Sequence, residues 1–107
     1  MSEPIRLCFV EHVNEGAVLQ ATLPDGRKLA LYRLGSDVFA TDDACTHAAA
    51  SLSGEGRVVG ALVECGRHWG QFDIRTGAAR LSPCRTPLRT WPLRIVDGQV
   101  WVEVPDG

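Results

Sequence analysis

Apolar and polar positions along this chain alternate over short runs that end at turn residues. They do not recur every three to four residues, as a helix face would require. Residues 5–13 are rich in β-formers and end at Asn14-Glu15-Gly16. Residues 17–23 and 28–34 flank Pro24-Asp25-Gly26, with Pro and Gly where a turn uses them. Gly35-Ser36-Asp37 leads into Val38-Phe39-Ala40-Thr41, and residues 93–96 and 99–104 are joined by Asp97-Gly98. A two-residue Asp-Gly loop between β-rich runs is the strongest short hairpin signal. In the last run Val100, Val102 and Val104 share one face, with Gln99, Trp101 and Glu103 on the other. The pattern predicts an antiparallel, all-β domain.

One region departs from it. Between Asp42 and about Pro87 the chain carries Ala48-Ala49-Ala50, Ser53-Gly54-Glu55-Gly56, Pro83 and Pro87, with β-like pieces only at residues 58–64 and 71–75. So long an irregular stretch inside a compact domain needs something to hold it.

Composition narrows the function classes. The 107 residues make one domain, with an ordinary 45% hydrophobic and 22% charged content. A net charge of −2 lacks the basic footprint of a nucleic-acid binder. No apolar run reaches membrane-spanning length, and residues 1–6 do not resemble a secretory signal, so the expected location is the cytoplasm. Thiols stay reduced there, and four cysteines read as metal-binding or incidental before they read as disulfides. The charge is uneven: residues 65–96 hold six arginines against Asp73 alone, which reads first as an ordinary solvated surface and, more sharply, as a positive face for a partner. Neither a Ser–His–Asp arrangement nor a carboxylate pair can be traced, which argues against a catalyst.

Two of the four cysteines and two of the three histidines fall in the irregular region, as Cys45-Thr46-His47 and, 17 residues on, Cys65-Gly66-Arg67-His68. Each pair can grip one centre from one loop, and two such loops close a site. Zinc accepts two thiolates and two imidazoles in a tetrahedral structural site. A 2Fe-2S cluster accepts the same set, with thiolates on one iron and imidazoles on the other. On ligand chemistry alone both remain open, and with zinc the chain would be a structural protein-interaction module.

The flanking residues resemble one family. The two ligand pairs, Ser51-Leu52-Ser53, Phe72-Asp73-Ile74-Arg75-Thr76-Gly77, then Pro83 and Pro87-Leu88, follow the pattern of Rieske iron–sulfur proteins over nearly the whole chain. The short length is similar to soluble ferredoxins of bacterial aromatic-ring-hydroxylating dioxygenase systems. That resemblance implies a Rieske-like antiparallel β-sandwich, built from three sheets, as a single domain over residues 1–107. A cluster-binding subdomain of loops, at about residues 43–87, would be inserted in the sheet base. It implies a 2Fe-2S cofactor, with Cys45 and Cys65 on the inner iron and His47 and His68 on the outer. It also implies a one-electron carrier, not an enzyme. Its partners would be a flavin-dependent ferredoxin reductase and a terminal Rieske oxygenase, met transiently by a monomer that needs neither nucleic acid nor membrane. Service to a monooxygenase or a nitrite reductase-like complex is the alternative within the same chemistry.

Charge counting explains the ligand set: two thiolates and two neutral imidazoles leave an oxidised cluster neutral, so an electron is accepted more readily than with four thiolates. High-potential members of the family carry an inter-loop disulfide where this chain has Ala50 and Arg67, and a serine where it has Gly70. With fewer donors to the sulfurs, the midpoint is expected near the low end of roughly −150 to +300 mV. Ala48 and Trp69 replace glycines common beside the ligands. Among the remaining residues, Trp91 and Trp101 read as structural and Trp69 as either packing or docking. Cys8 reads as a small buried hydrophobe, Cys84 as packing in the covering loop and His12 as surface. Arg67 is the best placed for a charge contact with a partner.

Overall fold

A computed structural model describes residues 2–46, 50–66, 70–82 and 84–105. Eleven strands form three antiparallel sheets among these residues. The base is built from two of them. In the first, β1 (Ser2–Phe9) and β10 (Leu93–Val96) flank β11 (Gln99–Pro105). The second runs in the order β2 (Leu19–Thr22), β3 (Lys28–Leu34), β4 (Asp37–Asp42) and β9 (Thr90–Trp91). A third sheet, made wholly of residues between β4 and β9, orders β5 (Arg57–Val59), β6 (Leu62–Glu64), β7 (Gln71–Asp73) and β8 (Ala79–Leu81).

Local chemistry sets the turns. Asp97 (φ 51°) and Gly98 (φ 73°) both take the left-handed conformation that closes a two-residue hairpin, so Val96 pairs with Gln99 as expected. At the β2–β3 turn Gly26 N–H donates to the Leu23 carbonyl at 2.9 Å, and Arg27 N–H to the Asp25 carboxylate at 3.0 Å. The alternation in β11 also holds: Val100 and Val102 are fully buried, while Trp101 is half-buried on the opposite face.

Strand β3 carries the architecture. Leu29, Ala30, Leu31 and Tyr32 are all fully buried, because the strand is covered on both faces. Leu29 and Leu31 join the base core, with Val13, Leu23, Ala40, Trp91, Val100 and Val102. Ala30 and Tyr32 join a second core, with Leu52, Val63, Phe72, Ile74, Leu88 and three cysteines. Tyr32 keeps its hydroxyl satisfied by Thr41 Oγ1 at 2.8 Å.

Several expected boundaries move. Residues 10–12 form a 3₁₀ turn instead of extending the first strand, with Val13 N–H bonded to the Val10 carbonyl at 3.0 Å. The piece at 58–64 is two strands of a hairpin turning at Gly60-Ala61. The piece at 71–75 ends at Asp73, whose carboxylate accepts from the N–H groups of Arg75 and Thr76 at 2.8 and 3.1 Å and bends the chain. Strand β8 and a one-turn helix α1 (Leu52–Glu55) fall inside the stretch that reads as irregular in sequence. Four of the six arginines of residues 65–96 are paired or packed: Arg80 reaches Asp73, Arg94 reaches Glu103, and Arg75 and Arg89 lie over Phe39 and Trp91.

Candidate metal centre

Two loops of equal length present the cysteines. The first stands on the Ala44–Ser51 bridge and is closed by Cys45 N–H donating to the Ala50 carbonyl at 2.9 Å. The second caps the β6–β7 hairpin, where Glu64 pairs with Gln71, and is closed by Cys65 N–H donating to the Gly70 carbonyl at 2.8 Å. Cys45 is 6% and Cys65 1% exposed, and both belong to the second core. The two thiols thus start matching loops and point into one interior. His47, Arg67, His68 and Trp69, which the sequence reading places here, lie outside the described residues.

Buried carboxylates pin the stems of both loops. Asp43 is 3% exposed and accepts from Ser51 Oγ at 2.6 Å, Ser53 N–H at 2.8 Å and Gln20 Nε2 at 3.1 Å. Burial alone would raise its pKa, but these donors together hold the carboxyl below the ordinary aspartate value. Its own carbonyl accepts from Leu52 N–H at 2.8 Å, so one residue ties β4 to helix α1 across the first loop. Ser51 also caps that helix by accepting from Gly54 N–H at 3.1 Å. On the second loop Glu64, 8% exposed, accepts from Arg57 Nε at 3.0 Å and Gln71 Nε2 at 2.9 Å. The sequence reading missed Asp43 and Glu64. Their only signal was an acid one or two positions before each cysteine, beside polar partners on the returning strand.

A third loop, after β8, closes over the other two. Thr46 Oγ1 donates to the Thr86 carbonyl at 2.6 Å, and Leu88 N–H to the Gly77 carbonyl at 2.8 Å. Cys84 in this loop is 5% exposed and shares the second core with Cys45 and Cys65. A Cβ built on Gly70 would overlap Cys84 Sγ, so the bare glycine is what admits the third thiol. Burial pushes the Cys84 thiol up to about 12, helped by the neighbouring thiols of Cys45 and Cys65. Cys84 is packed, as expected, in the core that also holds Cys45 and Cys65.

The remaining singled-out residues are structural. Cys8 is half-buried in β1 against the base core, and burial raises its thiol pKa against the opposing charge of Arg6. His12 is exposed, with its ring edge-on to Phe9. Trp91 is 4% exposed and donates Nε1–H to Asp42 Oδ1 at 2.8 Å.

A family model described as the Rieske [2Fe-2S] domain matches residues 3–92. The chain belongs to the Rieske [2Fe-2S] family. This Rieske chain is 46% identical over 104 residues to the ferredoxin component of the p-cumate 2,3-dioxygenase system of Pseudomonas putida, covering 97% of itself and 88% of that relative. Its structure is similar to the ferredoxin of Sphingomonas yanoikuyae B1, with a TM-score of 0.91, 40% identity, and coverage of 96% and 100% of the two chains. It is likewise similar to a ferredoxin solved in the complex of reduced oxygenase and oxidized ferredoxin in carbazole 1,9a-dioxygenase (TM-score 0.86, 35% identity, 92% and 91% covered).

The Rieske cofactor is a 2Fe-2S cluster, and the described residues fit it. Two dry thiols open two matching loops inside one core, and each chain stem behind them has its buried polar groups satisfied. Both cysteines are free of disulfides, as ligation requires.

Proposed function

We propose that Cys45 and Cys65 hold one iron of the cluster and His47 and His68 the other, within a single domain whose residues 43–87 form the cluster-binding insert. Support for the insert comes from its separate core, which shares β3 with the base. Support for the ligands comes from the matching frames of the two cysteine loops and from the histidine that follows each cysteine within the same loop. When bound, the cluster takes up and releases one electron. The chain's own part is to keep the thiol side in a dry core, to close the site with the third loop, and to leave no ligand position open for a substrate.

The function is that of a Rieske ferredoxin: a one-electron carrier from a flavin-dependent reductase to a terminal ring-hydroxylating oxygenase. It is the electron-transfer component of its system and not the catalyst. The carrying observation is the end-to-end likeness to a dioxygenase ferredoxin component. Docking to both partners must be transient, since one carrier has to leave the reductase before it reaches the oxygenase. A small, salt-sensitive contact meets that need. Beside Arg67, Arg85 serves it: it is exposed in the third loop, next to Cys84, and has no partner among the described residues. Four free cysteines support a reducing compartment, the cytoplasm, as its location.

The test is anaerobic. The purified holoprotein, mixed with flavin reductase and NADH, is expected to bleach in the visible. It should then recolour when the oxygenase from the same cell is added, with product formed for every two electrons delivered. A chain that dithionite reduces but that neither partner reduces or reoxidises would end this reading.

A further inference from the structure

Lys28 and Arg89 flank the end of β4, the strand that runs into the first cysteine loop. Asp43 N–H donates to the Lys28 carbonyl at 3.1 Å, and Asp42 N–H to the Arg89 carbonyl at 2.9 Å. Both cations line a surface cleft of about 550 Å³, together with Trp91 and with Ala44, Ala50 and Ser51 at the foot of that loop. Their side chains are exposed. The Arg89 guanidinium lies 4.0 Å over the Trp91 ring, and that of Arg27 lies 4.9 Å over it. Arg27 is paired through Nε with Asp25 at 2.7 Å, whereas Lys28 and Arg89 have no ion-pair or side-chain hydrogen-bond partner among the described residues. The two acids at the cleft have donors of their own: Asp42 Oδ1 accepts from Trp91 Nε1–H, and Asp43 accepts from Ser51, Ser53 and Gln20.

We infer that this cleft is a docking surface for an acidic segment of a redox partner protein, whose carboxylates meet Lys28 and Arg89. The inference rests on the carrier reading and adds to it a contact at the side of the first cysteine loop. Charge complementarity carries it, because two cations without counter-charge border a cleft whose acids are already satisfied. Stacking on Trp91 holds the Arg89 fork in place, so little freedom is lost when a carboxylate is gripped. Between the cations the walls are small side chains, which leave room for a protruding Asp or Glu. Exposed charges of this kind speed encounter more than they prolong it, which suits a carrier that must leave again.

Lys28 is the only lysine in the chain, which gives a direct test. The holoprotein is mixed in turn with purified reductase and purified oxygenase, coupled with a water-soluble carbodiimide and digested for mass spectrometry. With at least one of them, Lys28 should be found in amide linkage to an Asp or Glu of that partner. No such link, or a link only to a second copy of this chain, would overturn the inference. Stopped-flow transfer with the linked partner is then compared in Lys28→Gln, Arg89→Gln and Lys28→Arg. The two glutamine variants should keep the visible absorbance and slow transfer about threefold to tenfold at about 20 mM salt. The gap should close to within about twofold at about 0.5 M salt, where the Debye length is about 4 Å. Lys28→Arg, which keeps the charge, and Arg94→Gln on β10 should both stay within about twofold of the wild type at low salt. Unchanged low-salt rates in both cleft glutamine variants, or a slowing that salt does not remove, would overturn the inference. Calorimetric binding of inorganic phosphate, with those rates unchanged, would assign the cleft to a small anion instead. A wild type that exchanges electrons with neither partner would end the carrier reading itself.

Discussion

The two cores of this molecule share a strand and almost nothing else. The base core is aliphatic side chains and one tryptophan on the faces of two sheets. The second core holds three cysteines, and close around it lie a buried aspartate and a partly exposed network of short hydrogen bonds. One is maintained by apolar area removed from water, which is non-directional and tolerant of detail. The other depends on particular donors, on a missing side chain at Gly70, and on the cofactor. The same fold thus divides into a part that specifies shape and a part that specifies chemistry, with Leu29 and Leu31 facing one and Ala30 and Tyr32 the other.

That division can be broken from the chemical side first. Replacing Cys45 or Cys65 by Ser is expected to abolish the visible absorbance and iron content and to lower Tm more than any single change in the base, because the irregular insert loses what closes it. Iron analysis and a thermal melt followed by far-UV circular dichroism check this. Leu31→Ala, in the base, should cost about 2–5 kcal/mol in chemical denaturation. Its visible spectrum should be unchanged wherever the protein is folded.

Smaller effects sharpen the boundary. Asp43→Asn removes the charge that three donors share, with an expected loss of about 1.5–3 kcal/mol. Since the folded pKa of Asp43 lies below its unfolded value, its contribution is fully present above the ordinary aspartate pKa. It disappears as pH falls through the lower, folded value. The wild type should therefore lose its advantage over Asp43→Asn in acid, which paired denaturation curves from neutral to acidic pH would show. Gly70→Ser forces a Cβ onto Cys84 Sγ and should cost about 1–3 kcal/mol. Adding Cys84→Ala should recover most of that loss in a double-mutant cycle.

The sequence was informative in the two parts for different reasons. The base was readable from turn chemistry, since Asp97-Gly98 and Pro24-Asp25-Gly26 dictate where strands reverse and β11 alternates cleanly. The site was readable from residue types: two cysteine–histidine pairs at close spacing point to a metal without any geometry. What lay between was not. Helix α1 is a single turn, too short for a period to show, and the β5–β6 hairpin turns at Gly60-Ala61 instead of at a recognisable turn pair. The contacts of Cys84 with Gly70 and of Asp43 with Gln20 join residues far apart in the chain, so only the folded structure brings them together.

The central claim is a centre with two cysteine and two histidine ligands that carries one electron. It is tested most directly by electron-nuclear double resonance on the dithionite-reduced holoprotein grown with ¹⁵N-histidine. Two strongly coupled nitrogens are expected, unchanged in His12→Gln and lost with the cluster, or replaced by a different signal, in His47→Cys and His68→Cys. A reduced protein with no histidine nitrogen coupling, or a colourless protein carrying one zinc, would contradict the account.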